Sequence, residues 1–531
     1  MELADGRARP VIAWNDADYA FRPRLGATVG RMPAAETVDV QALLLLGVGV
    51  AARGQTARAA AIFDRVAREW PDGQHPCEDL ASLLPRLPQD GVAAQYRACL
   101  RFAPEDMRLR QAFARFLRAT GEGAAAVAVL REGLRHDPSS AMAQHAIGVT
   151  LAELAHMPEA IWHLEQAVGI NPGFAAGWAS LGLLLRAERR FESALAAYEQ
   201  AIARAPAEPR FRVDRALALL HAGRWTEAWP EFEWRLQLPG GPRLPPEHLL
   251  RPQAHMTEAL NGRTVLLTHE GGVGDTVQCL RYVPMLVERG ARVVAWLPDS
   301  LERLVGAMPG VAEVSTAPMV PSPFDLHCPF FTLPRVFQTT PATIPRRPYL
   351  RADPALAAAW ARSLPAAGMR VGLVWAAQAR PLAHGLPRLD RRRSVGLAAL
   401  APLGAVSGLC FVSLQKGAAA EQARTPPPGM LLCDPTPDIE DFADTAAVIA
   451  NLDLVVSVDT AVAHVAGAMG KPVFLLDRYD NCWRWLSGRA DSPWYPSMTI
   501  FRQERMGEWG APVARAAAAL EAMAMFRGVS A

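Results

Sequence analysis

Five prolines, Pro71, Pro104, Pro138, Pro172 and Pro206, recur at intervals of 33, 34, 34 and 34 residues. A fixed period of this length marks stacked helix–turn–helix units, each of which buries its apolar face only against the next. The copy ending at Pro206 carries Trp178, Leu181, Gly182, Leu185, Ala194, Tyr198 and Ala201. The copy before it has Ile147, Gly148, Leu151, Ala160, Leu164 and Ala167 at the same offsets. Small residues let paired helices approach, large ones fill the groove between them, and proline stops the second helix. Weaker copies end at Pro71, Pro104 and Pro138, and a last unit shows Leu219, Gly223, Trp225, Ala228 and Phe232. The array predicted this way covers residues 40–238, behind an unpatterned extension, 1–39.

After a proline- and glycine-rich linker, 239–262, the pattern changes to alternating strands and helices. Arg263 to His269 reads as a strand, Glu270-Gly271-Gly272-Val273-Gly274-Asp275 as a glycine-rich turn, and Thr276 to Glu288 as a helix. Further strands are predicted at Ala291 to Leu297 and Phe324 to Cys328, completing a first half over 263–350. A second half, 369–531, opens with strands at Arg370 to Ala376 and Leu409 to Leu414, the latter running into Gln415-Lys416-Gly417. Its centre is Val455 to Val458, a β-branched run that leads through Asp459 and Thr460 into a helix closed by Gly470 and Pro472. A helix start at the carboxyl end of a parallel strand offers unpaired N–H groups and a positive dipole end, which suits phosphate. The expected fold is therefore multidomain: an all-α solenoid followed by two Rossmann-like α/β halves.

Composition narrows the function. With 55 Lys+Arg against 53 Asp+Glu, the net charge of +2 gives no case for a nucleic-acid partner. Seven scattered cysteines form no C-x-x-C pair and suggest neither a disulfide framework nor a zinc site. The polar start and the lack of a long apolar run predict a cytoplasmic chain without a transmembrane segment. Lysine occurs only at Lys416 and Lys471; all other basic positions in the Lys/Arg set are arginine. Each lysine sits in a loop beside an apolar strand, which reads as a place needing a compact ammonium, as phosphate binding does.

The repeat residues resemble the tetratricopeptide family, whose concave face usually holds a protein partner. The second part resembles GT-B glycosyltransferases of the heptosyltransferase type. The stretches that carry this resemblance are Glu270 to Gln278 with Arg281-Tyr282-Val283-Pro284, Ser413 to Gly417, Asp441 to Ala446 and Val458 to Gly467. Trp483-Arg484-Trp485, Ser492 to Pro496 and Phe501-Arg502-Gln503 complete the set. The resemblance implies transfer of a sugar from a nucleotide-sugar donor to a hydroxyl of a protein or glycan acceptor, with inversion, and with no metal or further cofactor. It implies Asp275 as the catalytic base, with Glu270, Gly271, Gly272, Gly274 and Gln278 forming the acceptor-side loop. On the donor side it implies Lys416, Gln415, Asp459, Thr460, Ala461, Val462 and His464, joined by Arg393 and Ser394 from an arginine run.

Plainer readings stand beside these. Asp275 could cap its helix, Asp459 and His464 could be a buried structural pair, and the arginine run could be a solvated loop. The sequence also departs from the family at Ala376-Ala377-Gln378, at the loop from Ala379 to Leu389, and at Asp477-Arg478-Tyr479-Asp480. The competing function is a non-catalytic scaffold whose transferase domain is degenerate. Action on a lipid-linked saccharide lacks support, because no basic amphipathic helix is evident.

Overall fold

The computed structural model describes Ile62 and residues 92–102, 104–238, 244–252, 260–321, 323–366, 368–377 and 392–529. The N-terminal extension, the repeat copies before residue 92, and the loop from Ala379 to Leu389 with Gln378, Asp390 and Arg391 lie outside the described residues. Contacts divide the chain into two compact units that meet between Ala207 and Glu208.

In the first unit, helices run Val92–Phe102, Met107–Ala119, Gly123–His136, Ala141–Glu153, Met157–Ile170, Ala175–Ala187 and Phe191–Arg204. Every second one ends two residues before Pro104, Pro138, Pro172 or Pro206, as the period predicts. The small residues act as expected. A Cβ on Gly148 would lie 2.8 Å from Leu164 Cγ and 2.9 Å from the Ala160 carbonyl, and one on Gly182 would lie 2.9 Å from the Tyr198 ring. Successive repeats are joined across their surfaces by Arg118–Glu153 and Arg131–Glu159 ion pairs.

The second unit begins with one more helix pair, Pro209–His221 and Trp225–Phe232, and a 3-10 turn, Glu233–Gln237. Although its residues follow the repeat pattern, this pair packs into the α/β part. Trp225 stacks on Trp494 at 5.2 Å, and Trp229 meets Trp483 edge-on at 5.7 Å and donates its indole N–H to the Thr339 carbonyl at 2.7 Å.

Two wholly parallel sheets follow. The first has the order β3-β2-β1-β4, with β1 Thr264–Thr268, β2 Arg292–Trp296, β3 Val311–Ser315 and β4 Leu326–Pro329. The second has the order β10-β9-β8-β5-β6-β7. Its strands are β5 Met369–Val374, β6 Leu409–Ser413, β7 Leu432–Cys433, β8 Leu454–Val458, β9 Val473–Asp477 and β10 Met498–Arg502. β1, β5, β6, β8 and β9 are the apolar runs seen in the sequence. β3, β7 and β10 lie at sheet edges; exposed Ala312, Glu313 and Thr499 interrupt β3 and β10, and β7 is only two residues long.

The helix expected from Thr276 to Glu288 is broken. It runs Val273–Cys279, passes through a 3-10 turn at Leu280–Tyr282, and resumes as Val283–Val287. Pro284 lacks the N–H that a continuous helix would use there. No described helix is long and apolar enough to cross a membrane.

Candidate active site

In the second sheet the chain steps outward from β5 to β7 and then returns to β8 on the other side of β5. The carboxyl ends of β5 and β8 therefore flank a topological switch point, where parallel sheets leave room for ligands. After β8 the backbone turns at Thr460, which is extended (φ −140°, ψ 167°), and helix Ala461–Ala468 begins. No side chain caps that helix start; the Thr460 hydroxyl instead pairs with Ser457 Oγ at 3.0 Å. The N–H groups of Ala461 and Val462 thus sit at a positive dipole end without a side-chain acceptor from the cap residue.

The other wall is built from main chain held in place by side chains. Gln415 Oε1 accepts from the N–H groups of Trp375 (3.0 Å) and Ala376 (2.8 Å), and its Nε2 donates to the Ala376 and Lys416 carbonyls. Ser394 Oγ accepts from Ala377 N–H at 3.0 Å, and Arg393 donates to the Asp459 carbonyl at 3.1 Å. Gln415, Arg393, Ser394, Asp459, Thr460, Ala461 and Val462 are therefore brought to one sheet edge. Beside it, Arg392 pairs with Asp480 at 2.9 Å. Burial pushes the carboxyl of Asp477, the last residue of β9, up to about 6, against the pull of Arg502.

Lys416 is not brought to this edge as a free charge. Its Nζ donates to the Thr436 and Ile439 carbonyls at 2.8 and 2.7 Å. Lys471 does the same for Ala450 and Leu452, closing the end of helix Phe442–Ala450. In the structure both lysines serve main-chain carbonyls, which a compact ammonium with rotatable donors suits as well as it suits phosphate.

Asp275 is the third residue of helix Val273–Cys279. Its Oδ2 accepts from Gly272 N–H at 2.7 Å, and its Oδ1 accepts from Arg484 Nη2 at 2.6 Å. Gly271 has φ +74°, and a Cβ there would lie 2.6 Å from Asp275 Oδ2, so the turn needs glycine twice over. Gly274 sets the position of the whole turn. A Cβ on it would lie 2.8 Å from His464 Cδ2 and 3.3 Å from Ala461 Cα. Without a side chain at Gly274, the helix carrying Asp275 touches the start of the helix after β8, and the two sheets' functional ends meet.

Arg484 was quoted in the sequence without a role. It lies in the 3-10 turn Trp483–Trp485 and is buried. Its Nε donates to Gln278 Oε1 at 2.5 Å, Nη2 reaches Asp275, and Nη1 lies 3.0 Å from Cys482 Sγ. The guanidinium also lies over the Trp483 ring at 4.5 Å. Only the Trp-Arg-Trp spelling signalled it. Glu270, by contrast, accepts from Arg235 and from the Phe331 N–H.

His464 is a core histidine. Its Nδ1 lies 2.8 Å from Tyr495 Oη, its ring stacks on Trp485 at 5.3 Å, and Nε2 is 4.0 Å from Asp459 Oδ1. Burial pushes its pKa down to about 3, with Arg484, Arg281 and Arg393 acting the same way and Asp459 opposing. Below pH 6.5 the unfolded chain therefore takes up a proton that the native site refuses. The stability this group supplies is complete above pH 6.5 and falls by about 1.4 kcal/mol per unit as pH drops toward 3. Urea denaturation of His464→Gln between pH 7 and 5 should show a shallower loss than wild type; identical slopes would contradict the assignment.

Residues 180–233 match the tetratricopeptide repeat family, and residues 426–512 match glycosyltransferase family 9 (heptosyltransferase). Two stretches of the chain are thus similar to known families, one to tetratricopeptide repeats and one to family 9 glycosyltransferases. Protein FlbA of Caulobacter vibrioides (strain ATCC 19089 / CIP 103742 / CB 15) is 26% identical over 552 residues, spanning 98% of this chain and 90% of that protein. Among solved structures, a glycosyl transferase family 9 protein from Veillonella parvula DSM 2008 aligns over 46% of this chain and 87% of its own, at 10% identity and TM-score 0.35. MamA aligns over 28% of this chain and 81% of its own, at 24% identity and TM-score 0.26. The family 9 match contains β8 to β10 and with them Asp459, Thr460, His464 and Arg484. Lys416 and Asp275 precede it. The repeat match runs on through the helix pair that packs into the α/β unit.

Proposed function

We propose that the transferase unit moves a sugar, with inversion and without a metal, from a nucleotide-sugar donor to a hydroxyl of a protein or glycan acceptor presented by the repeats. The observation that carries this reading is the Gly274 contact, which sets the Asp275 turn against the uncapped helix start after β8. The donor diphosphate would bind the N–H groups of Ala461 and Val462, with Thr460, Ser394 and Arg393 around it. Helix dipole and guanidinium would stabilise the charge that builds on the leaving group.

Asp275 would accept the acceptor's proton. Its Oδ2 accepts from the Gly272 N–H and its Oδ1 from Arg484, the bonding of an ionised carboxylate. The Arg484 guanidinium favours its anionic form. Glu270 and Lys416, already bound elsewhere, take no part in this scheme. A protein partner on the concave face of the repeats and a cytoplasmic setting belong to the same proposal.

The scaffold alternative draws on one observation, the buried ion pair that occupies Asp275. The two readings separate in a transfer assay. Asp275→Asn should keep donor binding and lose about 10²–10⁴-fold in transfer rate. Unchanged transfer would remove Asp275 as the base, and a wild type that binds nucleotide without transferring would favour the scaffold.

A further inference from the structure

The first sheet has its own switch point. The chain runs from β1 out to β3 and returns to β4 on the other side of β1, so the carboxyl ends of β1 and β4 should flank a ligand-sized gap. That place is filled by the protein itself. Arg235, from the 3-10 turn after the last repeat helix, is fully buried there. Its Nε and Nη2 donate to the two oxygens of Glu270 at 3.1 and 2.8 Å, and Nη2 also donates to Thr332 Oγ1 at 2.9 Å. Its Nη1 donates to Glu233 Oε1 at 2.7 Å and to the Phe232 carbonyl at 3.2 Å. Five acceptors meet the five N–H donors of a guanidinium. Phe232 packs edge-on against Phe331 at 5.7 Å, and Thr268, Phe330, Phe331 and Thr332 at the strand ends are all closed to solvent.

Glu270 is the first residue of the glycine-rich turn. The carboxylate that Arg235 grips also takes the Phe331 N–H, on Oε1 at 2.8 Å. Phe331 in turn lies 3.3 Å from where a Cβ of Gly271 would stand, and its ring lies under the Arg484 guanidinium at 5.3 Å. A continuous set of contacts thus runs from the last repeat to the turn that carries Asp275.

We infer that the last helix pair is a built-in occupant of the β1/β4 crevice, and that Arg235 is a positioning residue that sets the Asp275 turn through Glu270. Resting on the transferase reading, this leaves a free saccharide acceptor no seat between β1 and β4. The positioning claim is tested by hydrogen exchange on the full chain, without donor or turnover. A failure of the transferase reading would therefore leave it standing.

In Arg235→Ala and in Glu270→Gln, amides 270–276 and 330–332 should exchange at least about tenfold faster, while those of the helices between 107 and 204 stay unchanged. Methylguanidinium, supplied to fill the space vacated in Arg235→Ala, should restore protection of the turn and leave wild type and Glu270→Gln unaffected. Should Arg235→Ala fail to fold, Glu270→Gln and Arg235→Lys carry the test, with Lys expected to protect the turn only in part because it lacks the fork. Unchanged exchange at 270–276, or a rise spread evenly over the whole unit, would overturn the proposal.

Discussion

Arg484→Ala is expected to destabilise the α/β unit by about 3–5 kcal/mol, as removal of one partner from a buried ion pair typically does. The carboxylate of Asp275 would remain almost fully buried without its guanidinium partner, and Gln278 would lose its donor as well. The cost comes from the charge left behind, so it should shrink when that charge is removed. Asp275→Asn in the Arg484→Ala background should recover part of the loss, and the pair should be strongly non-additive in a double-mutant cycle. Arg484→Lys should fall between, since an ammonium keeps the charge but cannot serve Asp275 and Gln278 in one plane. The chain has two compact units, so the effect should be confined to one of two unfolding transitions. Additive single losses would mean that Arg484 stabilises by packing between its aromatic neighbours and not through Asp275.

Trp225→Ala should cost a similar amount, about 3–5 kcal/mol for a buried aromatic removed from a packed core. The informative point is where the loss falls. Trp225 belongs by sequence to a repeat, yet it is buried against Trp494 and Trp483 of the transferase unit, with its indole N–H on the Leu220 carbonyl. Denaturation followed by fluorescence should therefore shift the transition of the transferase unit. Leu164→Ala, in the middle of the array, should shift the other. If Trp225→Ala moved only the transition of the repeats, the last helix pair would belong with them after all.

Much of the fold was legible because it is written locally. Pro138, Pro172 and Pro206 with Gly148 and Gly182 recur at fixed offsets, and each acts within its own helix pair. β1, β5, β6, β8 and β9 are apolar runs that end at turn residues. The edge strands are harder to read, because exposed Ala312, Glu313 and Thr499 interrupt β3 and β10 and β7 has only two residues. The helix after the glycine turn was read as continuous although Pro284 stands inside it.

The site divides in the same way. Thr460 and Asp275 were found because a helix start at a strand end is a short-range pattern. Arg484 was not assigned, since nothing local says that it will meet Asp275, 209 positions earlier. Arg235 is only 35 positions from Glu270, but the intervening stretch reads as a linker, and nothing local ties the two together. The two lysines show how one residue type serves two needs. Their rarity pointed to a special need for an ammonium, and the need proved to be main-chain carbonyls at Thr436, Ile439, Ala450 and Leu452.

The central claim is that the helix start at the β5/β8 switch point binds the phosphates of a nucleotide. The most direct measurement is titration calorimetry of the full chain with a panel of nucleoside mono- and diphosphates, on wild type and on Ala461→Pro. Proline is tolerated at the first helical position, and Thr460 already has the extended backbone that a following proline demands. The substitution removes one N–H and should leave the helix in place. One charge-assisted hydrogen bond is worth about 1.5–3 kcal/mol, so the predicted result is binding of at least one nucleotide by wild type, weakened by roughly 10- to 100-fold in Ala461→Pro at unchanged melting temperature. Binding of no nucleotide by wild type, or equal binding by both proteins, would contradict the account.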